Sequence, residues 1–471
     1  MLDFRDQPVA DLARRIRSRE LSAREVTAHA LDRIEALNPE LNAFVSLDAD
    51  RAVRDAAAID ERLARGDDPG PLAGIPMGVK DLEAVEGLTT TYGSALRAGD
   101  PPAAADCVHV ARYRAAGAII LGKTNTPEYG HKGATDNPLF GATRNPWSPA
   151  RSPGGSSGGS AAAIAAGLVP LATGSDGGGS IRIPGALNGL SVLKTEAARI
   201  PISGTAMPGS GLLSTNGPMG WRTADTAYAL DVAIGPDGGD PLSLPHPGVS
   251  WYDALTAGGA ETAVPARVVW SPSFGFAPVD TEILALCRAA VDRLAAAGTE
   301  VTEVDDIWPE DPVGAWYTLW CVARYKAQGH LVGTPEFERV SESLQPQILH
   351  GMEVLGVDHA RAHDAMYALN ARLETVFAGA QAPVILSPVC AGQTPLLGQN
   401  GTIDGQADVG WVKFTYGINL TRNPAGSVPV GLTPTGLPVG LQVVGRHHDE
   451  ITVLRTMAAV ETLVPTGKPP I

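Results

Sequence analysis

Apolar residues recur along this chain with two periods. Val26, Ala30, Ile34 and Leu37 fall on one helical face behind Ser22 and Glu25, which form a capping box. A second helical pattern, rich in alanine, runs from about 49 to 65 and stops at Gly66. Between them "NAFVSLD" reads as a short strand. In "GIPMGVKD" the period changes to two: Ile75, Met77 and Val79 alternate, so Lys80 ends a strand and faces the other way. A helix at 106–116, the apolar strand "AIIL", and a loop over 124–153 rich in Asn, Pro, Thr and Gly come next. A helix at 158–166 leads into the strand "VPLAT". Residues 275–380 are mainly helical, strands return in "PVILSP" and "GLPVGLQVVG", and a helix spans 449–462. Such alternation predicts an α/β fold, with one large domain whose central mixed β-sheet is covered by helices on both faces. Residues 1–65 are expected as a helical segment packing on a domain of 66–471, with a mainly helical insertion at about 275–380.

Composition narrows the class. The 471 residues are 44% hydrophobic and 18% charged, which suits a globular chain with a large core. A formal charge of −15 argues against direct nucleic-acid binding or an anionic membrane surface. The opening "MLDFRDQPVADLARRIRSRE" carries no apolar signal-peptide region, and no apolar run is long enough to span a bilayer. Cys107, Cys287, Cys321 and Cys390 lie far apart and read as reduced core thiols of a cytoplasmic protein.

Two glycine clusters stand out, "SPGGSSGGS" from 152 and "GSDGGGS" at 174–180. A glycine–serine linker would not lead straight into an Ala/Ile helix and a second cluster. "GAIILGKT" at 117–124 satisfies the phosphate-loop pattern, but its variable positions are those of a buried strand, and Pro127 obstructs a helix opening at Lys123. G-x-S-x-G is satisfied around Ser156 and again around Ser157, with His330, His350, His359 and His363 downstream. An esterase elbow would need a buried strand before the serine, which "ATRNPWSPARSP" does not supply. That Ser-His-Asp reading stays as the alternative from another class.

Lys80 in "GIPMGVKD", the cluster around Ser156 and "GSDGGGSIRIP" together resemble the amidase signature family. The likeness extends through "AAGAIILGKTNTPEYG" and "NLTRNPAGSVPVGLTPTGLPVGLQVVGR", in the family's order. It implies an amidase that cleaves amides to acid plus ammonia or amine through a seryl acyl-enzyme. By matching position the resemblance implies Ser180 as nucleophile, Ser156 (held by a cis peptide bond) as bridging serine, and Lys80 as base. It also implies an oxyanion hole from the N–H groups of Gly177, Gly178, Gly179 and Ser180. The chemistry is consistent: a serine attacking an amide needs a base, and lysine is one only when burial destabilises its charge. Two departures are visible, "LKTEAAR" at 193–199 and "LNG" at 187–189.

Other residues are weighed as substrate contacts. Trp316, Trp320 and Ala323 share helical spacing and either line an apolar pocket or form a core stripe. Glu128, Tyr129 and Asn137 in the 124–137 loop are further candidates. Arg182 and Asp176 either contact substrate or pin the loop as an ion pair. Cys390 reads as a packed thiol, and His447 and His448 as surface residues without metal-ligand spacing. No metal and no organic cofactor are expected. The expected partner is a small-molecule amide, with a homodimer allowed; the A-type component of an amidotransferase, working with partner subunits, is the alternative within the family.

Overall fold

Lys80 ends the strand Pro76–Lys80, the middle member of a five-stranded sheet ordered Phe44–Leu47, Ile119–Thr124, Pro76–Lys80, Leu171–Asp176, Thr215–Gly220. The three inner strands are parallel and both edge strands antiparallel. The structure, a computed structural model, describes residues 2–204, 211–257 and 263–471. A second mixed sheet has six strands, in the order Glu300–Glu303, Arg267–Trp270, Val384–Pro388, Pro438–Gly445, Ala425–Leu432, Val192–Lys194. Val192–Lys194 of this sheet runs beside Thr215–Gly220 of the first, where the Thr195 and Thr215 hydroxyls meet at 3.1 Å. The fold is α/β with mixed sheets and helices, and its strands divide between two sheets where the sequence suggested one.

Local signals account for most elements. The capping box closes as expected, with Ser22 N donating to Glu25 Oε2 at 2.8 Å and Glu25 N to Ser22 Oγ at 3.1 Å. Val26, Ala30 and Ile34 are buried beneath it. The first 65 residues do more than pack on the sheet, because Phe44–Leu47 forms its edge. The 281–380 region carries four long helices, at Thr281–Ala296, Val313–Gln328, Gln345–Glu353 and Gly356–Ala380, and also the strand Glu300–Glu303. Pro76–Lys80 is buried on both faces, not one, as befits a parallel strand covered on each side. The phosphate-loop look-alike is the buried strand Ile119–Thr124, whose Lys123 Nζ donates to the Glu83 carbonyl and lies 3.6 Å from Asp81.

Pro76–Lys80 and Leu171–Asp176 are parallel neighbours, so Lys80 and Asp176 emerge at the same carboxyl end of the sheet. Ligands of α/β folds bind at that end. The all-buried helix Gly158–Ala165, followed by the Leu171–Asp176 strand, brings both glycine clusters there too.

Candidate active site

The Lys80 side chain is fully buried, and its amine touches three serines: Ser156 Oγ at 2.8 Å, Ser157 Oγ at 2.8 Å and Ser175 Oγ at 3.0 Å. Burial pushes its pKa from the usual lysine range down to about 7, against the opposing pull of Glu83 and Asp176. Ser157 Oγ also bonds the Ser175 backbone, donating to its carbonyl at 3.3 Å and accepting its N–H at 3.2 Å. The Gly155–Ser156 peptide is cis. Ser156 and Ser180 line one cleft of about 860 Å³ at the sheet's carboxyl end. Its apolar wall includes Leu82, Tyr92, Tyr129, Ile202, Trp320 and Ala323.

The 177–180 turn is held from behind. Asn419 Nδ2 donates to the Asp176 carbonyl at 3.0 Å, Trp316 Nε1 to the Gly177 carbonyl at 2.9 Å, and Thr415 Oγ1 to the Gly178 carbonyl at 2.6 Å. In a trans peptide the C=O and the following N–H point opposite ways, so these donors turn the next N–H groups away from themselves. The N–H groups of Gly177, Gly178 and Ser180 make no hydrogen bond among the described residues. The Gly179 N–H differs from expectation: it donates to Asp176 Oδ1 at 2.8 Å and is already committed. Only glycine fits at 179, where φ is +122° and an added Cβ would lie 2.3 Å from Thr415 Oγ1.

Most of the suggested substrate contacts sit elsewhere. Glu128 is fully buried, accepting from Ser94 Oγ at 2.6 Å and from Ser341 N at 2.7 Å, so it ties the loop to the helical region. Arg182 pairs with Asp176 at 2.9 Å with neither side chain exposed, and also donates to Asn419 Oδ1 and Gln442 Oε1. Burial would raise the Asp176 carboxyl, but the Arg182 charge and hydrogen bonds hold it well below the usual range. Trp316 stacks on Trp320 with ring centroids 5.1 Å apart and braces Gly177, while Trp320 itself faces the cleft. Asn137 bonds Asn125 Oδ1 at 2.7 Å and the Thr126 carbonyl, again inside the loop. Tyr129 and Ala323 do line the cleft.

Cys390 is buried, and burial pushes its thiol up to about 12. His447 and His448 both bond Glu196, in the "LKTEAAR" departure, at 2.9 and 2.8 Å. His447 is more enclosed than a surface residue. His330, His350, His359 and His363 do not line the cleft, and no strand leads directly into Ser156. The elbow reading therefore lacks both its base and its scaffold. Sequence reasoning missed Ser157 and Ser175 as partners of Lys80, although Ser157 adjoins Ser156 and Ser175 precedes the glycine turn.

A poorly basic buried amine among serine hydroxyls, beside a turn with unclaimed N–H groups, is equipped to carry protons during acyl transfer and to hold an oxyanion. Fold and cleft thus define a hydrolase of the acyl-transfer class. The family model described as Amidase matches residues 25–454. An acylamidase of Rhodococcus erythropolis is 39% identical over 463 residues, covering 97% of this chain and 95% of the relative. The A subunit of a glutamyl-tRNA(Gln) amidotransferase from Salinispora arenicola is 34% identical over 501 residues, covering both chains completely. The crystal structure of a bacterial aryl acylamidase of the amidase signature family superposes with a TM-score of 0.89 at 30% identity, covering 98% of this chain and 96% of that one. The chain belongs to the amidase signature family, and it is an enzyme that hydrolyses amide bonds.

Proposed function

We propose that the chain is a stand-alone acylamidase acting on neutral, partly apolar amides, with Ser180 as nucleophile, Ser156 as proton relay and Lys80 as base. The observation that carries this reading is the hydrogen-bond count at Lys80. A neutral amine has two N–H donors and one lone pair. Ser157 already donates to the Ser175 carbonyl, so it accepts from Lys80; Ser175 Oγ takes the second N–H. The lone pair is left for the Ser156 hydroxyl at 2.8 Å. Ser156 can then take the Ser180 proton as it passes its own to Lys80.

Attack by Ser180 Oγ on the amide carbon breaks the C=O π bond and places negative charge on oxygen. The N–H groups of Gly177, Gly178 and Ser180 receive that charge; one such donor is worth about 10²- to 10³-fold in rate. Collapse expels the amine, which takes a proton back through Ser156, and water repeats the sequence to release the acid. Tyr92, Tyr129 and Trp320 give the cleft the apolar, aromatic character suited to an acyl or aryl group. The near full-length likeness to an amidotransferase component keeps ammonia transfer from glutamine as the second reading.

The test is hydrolysis of an acyl and aryl amide panel by the purified chain, with and without glutamine, and fluorophosphonate labelling of the same protein. Label on Ser180, lost together with hydrolysis in Ser180→Ala, is expected. Label on Ser156 or Ser157 would overturn the assignment, and glutamine as the preferred amide would replace the stand-alone reading.

A further inference from the structure

Part of the cleft wall takes no part in the chemistry above. Glu83, Cys107 and His109 line it together, and each is 2 or 3% exposed. Cys107 is the N-cap of the helix Val108–Ala115, and its Sγ lies 3.7 Å from both ring nitrogens of His109. His109 Nε2 lies 3.1 Å from Glu83 Oε2, which also accepts from Thr173 Oγ1. One oxygen of Glu83, Oε1, is buried without a partner among the described residues. Burial opposes a charge on His109, but Cys107 and Glu83 beside it outweigh burial and raise its affinity for a proton, which suits the imidazole to take one from the thiol. The imidazolium formed by that transfer and the helix N-terminus both place positive charge beside the sulfur.

The other three cysteines have different surroundings. Burial pushes Cys321 up to about 11 and Cys390 up to about 12, and moves Cys287 upward as well. Neither a cleft position beside Ser180 nor an imidazole within hydrogen-bond range belongs to any of them among the described residues.

We propose that Cys107 is a second nucleophile of the cleft, a thiol–imidazole–carboxylate site that is alkylated by small α,β-unsaturated amides, acrylamide being the simplest. The proposal rests on the amide-hydrolase reading only for the entry of such amides into the cleft. The thiol proton passes to His109 Nδ1 while Nε2–H stays on Glu83. The sulfur then bonds the β-carbon, the C=C π pair moves to the α-carbon, and that carbon takes the proton back from His109. Thiol and alkene become a thioether with no oxidant and no leaving group. Water does not reverse a thioether, so the site traps its ligand.

Incubating the full chain with acrylamide and mapping the adduct by peptide mass spectrometry tests this. One adduct is expected, on Cys107, forming at a rate that saturates with acrylamide and is slowed by propionamide, the saturated analogue. His109→Gln should slow alkylation at least about tenfold. Ser180→Ala should keep the label, which separates this site from the hydrolytic one. Equal labelling of Cys287, Cys321 or Cys390, a rate that never saturates, or an alkylation rate unchanged in His109→Gln would overturn the proposal.

Discussion

Replacing Lys80 by methionine should abolish amide hydrolysis and yet stabilise the protein at neutral pH. In the unfolded chain a lysine titrates near 10.4, while in the fold Lys80 titrates at about 7. Between those values the unfolded chain binds a proton that the folded protein has released, so this residue makes stability rise with pH. At pH 7 the mismatch of about three units costs the wild type about 4 kcal/mol. Methionine has a similar reach and no charge to desolvate. Its drawback is lost hydrogen bonding: Ser157 keeps the Ser175 backbone, but Ser156 and Ser175 each lose a partner, at about 1 kcal/mol apiece. The net gain is about 2 kcal/mol at pH 7, or about 2 °C in Tm for a chain of this length. Above pH 7 the gain shrinks by about 1 kcal/mol per unit and changes sign near pH 9. Thermal melts of both proteins from about pH 6 to 10 measure it. A variant that melts below wild type at pH 6 to 7, or by a margin independent of pH, would refute the claim that the amine is held neutral by burial.

Three further outcomes are expected. kcat/KM for a neutral amide should fall about tenfold per unit below roughly pH 7, because Lys80 must be unprotonated to accept a proton; a midpoint above about 9 would contradict the role given to it. Ser156→Ala should depress kcat/KM for an amide far more than for the matched ester, whose alkoxide leaves without the relayed proton; equal losses would withdraw the relay. Trp316→Phe keeps the stack on Trp320 but removes the donor to the Gly177 carbonyl, so kcat should drop by about 10- to 100-fold with KM nearly constant, and an unchanged kcat would show that Trp316 does not orient the turn.

Much of the fold is legible in the chain because local rules and long-range packing agree. The capping box at Ser22, the αL stop at Gly66 and the apolar run "AIIL" each specify an element by themselves. The strands that escape notice contradict local rules. Thr215–Gly220 contains Pro218, tolerated because this is an edge strand, and Ala425–Leu432 contains Pro429, after which its register with Pro438–Gly445 slips. Lys80 and Ser156 stand 76 positions apart, and no periodicity links them; family order alone made the pairing readable. Substrate contacts were harder because type and spacing do not say which way a buried side chain turns. Glu128, Arg182 and Trp316 have the chemistry of ligand contacts, but all three are absorbed by partners that come from more than 130 positions away: Ser341, Gln442 and Gly177.

The position of Lys80 raises an electrostatic problem that its burial does not solve alone. Two carboxylates, Glu83 and Asp176, are close enough to favour its charged form. A free carboxylate about 6 Å away would stabilise an ammonium by roughly 3 kcal/mol at an effective dielectric near 20. That is two pKa units, sufficient to undo much of what burial achieves. Each carboxylate, however, has its own buried cation: Arg182 at 2.9 Å from Asp176, and His109 at 3.1 Å from Glu83. At the distance of Lys80 each pair acts as a dipole, whose field falls faster than that of a charge. Desolvation then prevails, and the amine stays poorly basic among its three serines. The Asp176–Arg182 pair consequently has two connected duties in one carboxylate. It fixes the Gly179 and Ile181 N–H groups, which shapes the turn carrying Ser180, and it keeps its own charge from recharging Lys80. An arginine that touches no substrate is thus tied to the basicity of a lysine on the neighbouring strand.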